Sequence, residues 1–174
     1  MKIAILGFSG CGKSTLARRL GEVYKVPVLH LDSVHFSANW VERPLEDKLS
    51  DVRNFLEDNR EIGWVIDGNY SKVEDVRRME EADRIILLEL NRFVCLWRVV
   101  KRWLTYRGRV RPDMAEGCFE KIDLEFVLWV LRDGRSEKKK ARLQEIAEQY
   151  PQKVVRIRSV KAQKEFLRTL EEQR

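Results

Sequence analysis

Cysteine, histidine and long apolar runs are scarce in this sequence of 174 residues. The three cysteines, Cys11, Cys95 and Cys118, are odd in number and lack C-x-x-C spacing, which argues against both a disulfide framework and a zinc site. No apolar stretch approaches the ~20 residues that span a bilayer, and the chain opens directly with a strand-like segment. We therefore expect a cytoplasmic protein with neither a signal peptide nor a membrane anchor.

Acidic residues are absent from one long basic segment, residues 92–111. Its basic side chains are Arg92, Arg98, Lys101, Arg102, Arg107, Arg109 and Arg111. The chain as a whole has a net charge of +6, so a polyanionic ligand is expected. The segment has three interpretations: arginines that stabilise a phosphoryl group in transfer, residues that neutralise nucleic-acid phosphates, or a solvated surface.

Short apolar segments alternate with segments of helical periodicity along the chain. Strands are predicted at residues 2–6, 28–31, 64–66, 84–90 and 154–157. Helices are predicted between these strands, one of them over Phe119–Leu131. This alternation predicts an α/β fold, in which right-handed βαβ crossovers build a parallel sheet with helices on both faces.

The segment Gly7–Thr15 fits the Walker A pattern G-x-x-x-x-G-K-[ST] at every fixed position. It lies between the first predicted strand and the first predicted helix, so its backbone N–H groups and the helix N-terminus would form a nest for phosphates. The predicted nucleotide-binding residues here are Gly7, Ser9, Gly10, Cys11, Gly12, Lys13, Ser14 and Thr15. We expect Lys13 to reach the β- and γ-phosphates of ATP and Ser14 to bind Mg²⁺.

Two carboxylates follow later strands, at the sheet edge where parallel sheets bind ligands. Asp67 fits a Walker B acid that would hold Mg²⁺ beside Ser14, although a turn-forming role would also suit it. Asp32 could accept a proton from a substrate hydroxyl or hold Mg²⁺, or it could cap a helix or turn. His30 is most simply a structural histidine of the strand, whereas His35 could contact substrate.

A succession of segments resembles the adenylate-kinase-like branch of P-loop nucleotide kinases, and within it the bacterial family of DNA topology modulation proteins. The segments that carry the resemblance are residues 7–15, 31–44, 64–70, 82–88 and 109–118. They are distributed along the chain, and the resemblance covers nearly all of it. The resemblance implies a three-layer P-loop NTPase fold with a five-stranded parallel sheet in the order 2-3-1-4-5.

The same resemblance implies which regions of the chain bind the acceptor and close over the site, and which residues contact the nucleotide. Residues 1–174 would form one kinase-like domain, with an acceptor-binding region at about 32–60 and a short lid at about 107–117. Arg98 and Arg102 look like the arginines that grip the transferring phosphoryl group. The resemblance makes Arg142 a later phosphate-contacting arginine, and it places Ser159 in the loop beside the adenine ring.

The chain departs from adenylate kinases at one position of the acceptor site. Adenylate kinases have Asp-Gly-Phe-Pro-Arg where this chain has Asp-Gly-Asn-Tyr-Ser at residues 67–71. The arginine that holds the acceptor monophosphate is therefore missing from its usual place. In addition, a lid region with only Cys118 excludes the four-cysteine zinc lid of some relatives.

Taken together, these features predict an enzyme, a Mg²⁺-dependent phosphotransferase that moves the γ-phosphoryl group of ATP to a nucleoside, a nucleotide or a related small metabolite. The predicted catalytic residues are Lys13, Asp32, Arg98 and Arg102. A hydroxyl acceptor would need Asp32 as its base, whereas a phosphate acceptor would rely on Arg43, Arg53 or the lid arginines.

The alternative hypothesis is an ATP-dependent DNA-associated or regulatory ATPase that affects DNA topology. The basic segment would then bind nucleic acid, which remains possible but is not favoured. Arg98 and Arg102 are one helical turn apart and follow the strand beside the phosphate loop, as the kinase hypothesis requires. The sequence also has no helix-turn-helix, zinc-finger or RNA-binding signature.

Overall fold

The structure, a computed structural model, describes residues 1–73, 75–110, 113–115 and 117–172. The strands are β1 (Lys2–Gly7), β2 (Val28–His30), β3 (Phe36–Ser37), β4 (Val41–Glu42), β5 (Trp64–Asp67), β6 (Arg84–Leu88) and β7 (Val154–Ile157). The helices are α1 (Lys13–Tyr24), α2 (Leu31–His35), α3 (Leu45–Asp58), α4 (Asp75–Glu81), α5 (Arg92–Tyr106), α6 (Leu124–Leu131), α7 (Glu137–Gln149) and α8 (Val160–Glu171).

Five parallel strands form the central sheet in the order β2-β5-β1-β6-β7. Strands β3 and β4 form a separate antiparallel pair. Numbering the five sheet strands alone gives 2-3-1-4-5, so the predicted order is confirmed. Strand β1 lies at the centre, where Ala4 is opposite Ile66 on one side and Ile85 on the other. The phosphate loop, which follows β1, therefore lies in the middle of the sheet edge.

Both faces of β1 are buried, because successive side chains of a strand point to opposite faces. Ile3 and Ile5 pack into one apolar cluster together with residues of α1, α5, α6 and α8. Ala4 and Leu6 pack into a second cluster with residues of α2, α3, α4 and α7. The α/β architecture with helices on both faces is thus confirmed.

The helix predicted over Phe119–Leu131 is too long at its start. Helix α6 begins only at Leu124, because the side chain of Asp123 caps it by accepting a hydrogen bond from the backbone N–H of Phe126. Phe119 instead forms an isolated bridge with Val110. The apolar periodicity does not distinguish a helix from a bridged loop whose side chains pack against the same surface.

The predicted lid at residues 107–117 is only partly within the described structure, since Arg111, Pro112 and Glu116 lie outside it. None of the helices described here combines the length and the apolar character that a bilayer crossing requires.

Candidate phosphoryl-transfer site

The phosphate loop packs so closely on its neighbours that side chains would not fit at two of its glycines. Gly7 has φ +143°, and a Cβ built there would lie 2.1 Å from the carbonyl oxygen of Leu88. Gly10 has φ +77°, and its Cβ would lie 2.6 Å from the carbonyl oxygen of Cys95. Both positions therefore need glycine for conformation and for space. The loop is held against β6 and the start of α5.

Two residues at the start of α1 make contacts that link the loop to its surroundings. The Lys13 ammonium donates hydrogen bonds to the carbonyl oxygens of Gly7, at 3.1 Å, and Phe8, at 3.3 Å. The Ser14 hydroxyl donates to Oδ2 of Asp67 at 3.0 Å. The two residues predicted to hold Mg²⁺ are therefore in contact.

His30 forms a contact with Asp67 that the sequence did not predict. Its Nδ1 is hydrogen-bonded to Oδ1 of Asp67, which itself is buried. Burial disfavours the protonated ring, but the hydrogen bond and charge of Asp67, with a smaller contribution from Asp113, raise the pKa of His30 above its usual value. The signal that could have found this pair is the parallel pairing of β2 with β5, which places His30 opposite Asp67.

Asn69 is a second residue that sequence reasoning missed. Its side-chain amide forms two hydrogen bonds with the backbone of Gly7. Oδ1 accepts from the Gly7 N–H at 3.0 Å, and Nδ2 donates to the Gly7 carbonyl oxygen at 2.6 Å. The segment that departs from the adenylate kinase pattern therefore fixes the first residue of the phosphate loop.

Asp32 lies in the short helix α2, directly after β2, and not in the strand itself. The hydroxyl of Tyr70 donates a hydrogen bond to Oδ1 of Asp32 at 2.7 Å. Burial, followed by the charge of Asp32, raises the pKa of Tyr70 far above its usual range, so its hydroxyl remains a donor. Asp32 is thus oriented by a fixed partner.

Arg98 reaches the phosphate loop from helix α5. Its guanidinium donates to the carbonyl oxygen of Cys11 and to Oε1 of Gln163, both at 2.8 Å. The Cys11 side chain is buried and its thiol contacts the carbonyl oxygen of Phe8. Burial raises the pKa of the Cys11 thiol to about 11, although the nearby charge of Lys13 acts in the opposite direction. Cys11 therefore contacts Arg98 through its backbone carbonyl and not through its thiol.

Arg102 lies one turn further along α5 and is held by a buried carboxylate. Its Nε and Nη2 are 2.7 and 2.6 Å from Oε1 of Glu120. Glu120 is only 6% exposed. The bridge connects α5 to the segment that precedes α6, and Glu120 was not predicted as a site residue.

The two remaining predicted nucleotide contacts have different environments. Arg142, on α7, donates to the carbonyl oxygen of Asn69 at 2.7 Å and to Asp75 at 2.6 Å. The Ser159 hydroxyl caps helix α8 by accepting a hydrogen bond from the N–H of Ala162. A role for Ser159 beside the adenine ring remains a prediction.

A cavity of about 1460 Å³ extends along these residues. The predicted site residues that line it are Ser9, Gly10, Gly12, Lys13, Ser14, Thr15, Asp32, Arg98, Arg102 and Arg142. The other four predicted site residues, Gly7, Cys11, Asp67 and Ser159, do not line the cavity. The cavity brings together the phosphate loop, the arginines of α5 and the carboxylate of Asp32.

The residues present fit a Mg²⁺ ion that is completed by a nucleotide. No group of three or more His, Cys, Asp or Glu side chains that could hold a metal ion occurs in the described part of the chain. A kinase-type Mg²⁺ site does not need one, because it takes one or two protein oxygens and completes its shell with phosphates and water. The hydroxyl of Ser14 and the carboxylate of Asp67 supply hard oxygen ligands of this kind.

Comparisons with known proteins point to kinases. No protein-family model matches the chain. It is 26% identical over 156 residues to adenylate kinases of Listeria monocytogenes and Listeria innocua, and the match covers 72% of this chain and 71% of theirs.

Solved structures with low sequence identity share the fold. A gluconokinase from Sinorhizobium meliloti matches with a TM-score of 0.50 at 18% identity, over 99% of this chain and 90% of the other. A candidate kinase from Chloroflexus aurantiacus matches with a TM-score of 0.54 at 12% identity, over 99% and 98%. The fold is therefore the P-loop NTPase fold, as predicted. The narrower resemblance to DNA topology modulation proteins remains a prediction.

Proposed function

We propose that this protein is a Mg²⁺-dependent kinase that transfers the γ-phosphoryl group of ATP to a small acceptor. The observation that carries the proposal is that the phosphate loop and Asp32 line one and the same cavity. Phosphoryl transfer requires mainly positioning and charge stabilisation, and Lys13, Arg98 and Arg102 bring three cations to this cavity. Similarity to kinases in sequence and fold supports the same conclusion.

The proposal assigns a role to the metal ion, to the lysine of the phosphate loop and to the carboxylate of Asp32. Mg²⁺, held by Ser14 and Asp67, would neutralise charge on the β- and γ-phosphates. Lys13 would leave the carbonyl oxygens of Gly7 and Phe8 and bind those phosphates. Asp32 would accept the proton of an acceptor hydroxyl.

The proposal extends to the organisation of the chain. Residues 1–174 would act as one domain, residues 32–60 would provide the acceptor side, and residues 107–117 would serve as a lid. Arg142 would contact a phosphate of the bound nucleotide, which would require it to exchange its bond to Asp75.

The DNA-associated ATPase is the less favoured hypothesis, because both central arginines of the basic segment are engaged inside the molecule. Arg98 is bonded to the phosphate loop and Arg102 to Glu120. A duplex-binding surface would instead present such arginines to solvent, where they could contact phosphates.

An acceptor screen with ATP and Mg²⁺, in which release of ADP is followed, tests the proposed function. We expect ADP release to depend on one class of acceptor and to be lost on removal of Mg²⁺ with a chelator. Slow hydrolysis that no acceptor accelerates, together with salt-sensitive DNA binding, would replace the kinase hypothesis with the ATPase hypothesis.

A further inference from the structure

We infer that the acceptor is a neutral alcohol that carries a planar ring, a nucleoside being the simplest example, and that a phosphate monoester is rejected. This inference rests on the proposed kinase function. Three observations carry it: a row of aromatic rings that ends at Asp32, the negative charge of Asp32 at that end of the cavity, and the pairing of two acceptor-side cations with carboxylates.

The aromatic row consists of Trp40, Phe36, His35 and Tyr70. Trp40 and Phe36 meet edge to face with ring centroids 5.4 Å apart, and Phe36 meets His35 in the same way at 4.6 Å. His35 stacks on Tyr70 at 4.2 Å with an interplanar angle of 25°. Tyr70 then donates its hydrogen bond to Asp32. A continuous aromatic surface therefore leads from Trp40 to the proposed base.

Most of this surface is accessible to a ligand in the large cavity. Trp40, Phe36 and Tyr70 line the same cavity as Asp32 and the phosphate loop, and each ring is half-buried. Burial and the charge of Lys48 lower the pKa of His35, so this member of the row is a neutral ring at physiological pH. Aromatic walls of this kind stack planar rings, and stacking tolerates different bases.

The charge of Asp32 opposes a phosphate at the reacting position. The Asp32 carboxylate lines the cavity and accepts the hydrogen bond of Tyr70. Asp67 is close enough to act with Asp32 on the pKa of Tyr70, whereas the buried Glu120 is already bonded to Arg102. A dianionic monophosphate would be repelled by Asp32, whereas a neutral alcohol would not.

Cations on the acceptor side are engaged by carboxylates. Arg43 forms an ion pair with Asp51 at 2.7 Å, and Lys48 forms one with Glu42, also at 2.7 Å. Arg18, an exposed residue of α1, lines the cavity too and is a cation through which a phosphate acceptor could be held if the inference were wrong. It is therefore included in the test below.

The chemistry of the step is balanced without any further reactant. The acceptor hydroxyl oxygen forms a bond to the γ-phosphorus while the bond from that phosphorus to the β,γ-bridging oxygen breaks. The hydroxyl proton passes to the carboxylate of Asp32, and ADP leaves with the bridging oxygen.

The test compares nucleosides (adenosine, cytidine and thymidine) with their 5′-monophosphates and with ring-free or non-aromatic alcohols (glycerol, ribose and gluconate). Transfer from ATP is measured as kcat/KM, and binding of the nucleoside is measured by calorimetry in the presence of a non-hydrolysable ATP analogue. We expect a nucleoside to be at least about tenfold better than its monophosphate, because like charges oppose the latter.

Variants separate stacking from other roles of Trp40, whose indole N–H donates to the carbonyl oxygen of Phe119. Trp40→Leu should weaken nucleoside binding about tenfold or more, while Trp40→Phe, which keeps a ring and loses the hydrogen bond, should retain most of it. Trp97→Leu is the matched control, because Trp97 is 65% exposed on α5 and lies outside the cavity wall.

The possible failures are distinguishable. Efficient transfer to monophosphates would overturn the inference and leave the kinase function intact, and its loss in Arg18→Ala would identify the cation that holds the acceptor phosphate. Equal use of ring-free alcohols, with no effect of Trp40→Leu, would overturn the aromatic part. If no acceptor receives phosphate and none binds although ATP does, the proposed function itself is wrong, and the inference falls with it.

Discussion

The hydroxyl of Ser14 donates a hydrogen bond to Oδ2 of Asp67 across 53 positions of the sequence. The other carboxylate oxygen of Asp67 is bonded to His30. Asp67 therefore joins the start of helix α1 to the end of strand β2 and has a structural role in addition to its proposed metal role.

Asp67→Asn separates these two roles. The amide keeps the size of the side chain and can still accept from Ser14, but it has no charge for Mg²⁺. We expect Mg²⁺-dependent turnover to fall by at least about tenfold, with a small change in Tm. Turnover with varied Mg²⁺ and thermal unfolding measure the two effects. Asp58→Asn, at the exposed end of α3, is the control, and a large drop in Tm with intact turnover would favour the purely structural role.

Lys13→Ala removes the cation proposed to lie between the β- and γ-phosphates. Charge-assisted contacts of this type contribute roughly 1.5–3 kcal/mol, so ATP binding or turnover should weaken by at least about an order of magnitude. Calorimetry with ATP and steady-state kinetics check this. Unchanged affinity together with unchanged turnover would contradict the assignment of the loop as an ATP site.

Asn69→Asp tests whether the bonds to Gly7 hold the phosphate loop in its binding conformation. The variant keeps an acceptor for the Gly7 N–H but places a carboxylate oxygen against the Gly7 carbonyl oxygen in place of a donor. We expect KM for ATP to rise by about tenfold, since an unmade hydrogen bond here costs about 1–3 kcal/mol. Asn54→Asp, on the exposed side of α3, should leave KM unchanged. An equal KM in both variants would show that the amide pair has no part in binding.

Arg102 distinguishes the kinase from the nucleic-acid hypothesis. If its guanidinium acts on the transferring phosphoryl group, Arg102→Lys should lower kcat strongly and change ATP affinity little, because lysine keeps the charge and loses the planar fork. If it binds a DNA backbone, Arg102→Ala should weaken DNA binding uniformly across sequences and reduce the salt slope by about one. Arg92→Lys, exposed at the start of α5, is the control for both measurements.

The pair formed by Glu89 and Arg156 predicts a pH dependence of stability. Arg156 donates to both carboxylate oxygens, at 2.7 and 2.8 Å. Burial alone would raise the pKa of Glu89, but Arg156 and, more weakly, Arg158 outweigh it and hold that pKa below its ordinary value of 4.5.

A carboxylate with a lowered pKa stabilises the folded state above its unfolded pKa, and this contribution is lost as the pH falls through the folded pKa. Glu89→Gln should therefore lower the free energy of unfolding by about 1.5 kcal/mol at pH 7. The difference from the natural protein should shrink as the pH falls below 4.5. Urea unfolding at pH 7 and at several pH values below 4.5 measures it, and a constant difference would show that the charge of Glu89 is not responsible.

Much of the fold was readable in the sequence, because it depends on local patterns. Short apolar strands between helices predict a parallel sheet, and the loop at Gly7–Thr15 is defined by glycines and a lysine at fixed spacing. The edge positions of Asp32 and Asp67 follow from the rule that ligands bind at the carboxyl ends of parallel strands. The sheet order itself came from the family resemblance, and the structure confirms it.

Tertiary structure decided which side chains meet across that edge. His30 on Asp67, Asn69 on Gly7 and Glu120 on Arg102 each join segments far apart in the sequence, and their local sequence does not indicate a partner. The helix predicted from Phe119 was wrong at its start for a related reason, since periodicity records which side chains are buried but not the backbone conformation that buries them. Local propensity thus determined most of the elements and their succession along the chain, whereas long-range packing determined the partners. A hydrogen bond or ion pair depends on positions in space that only the assembled sheet and helices provide.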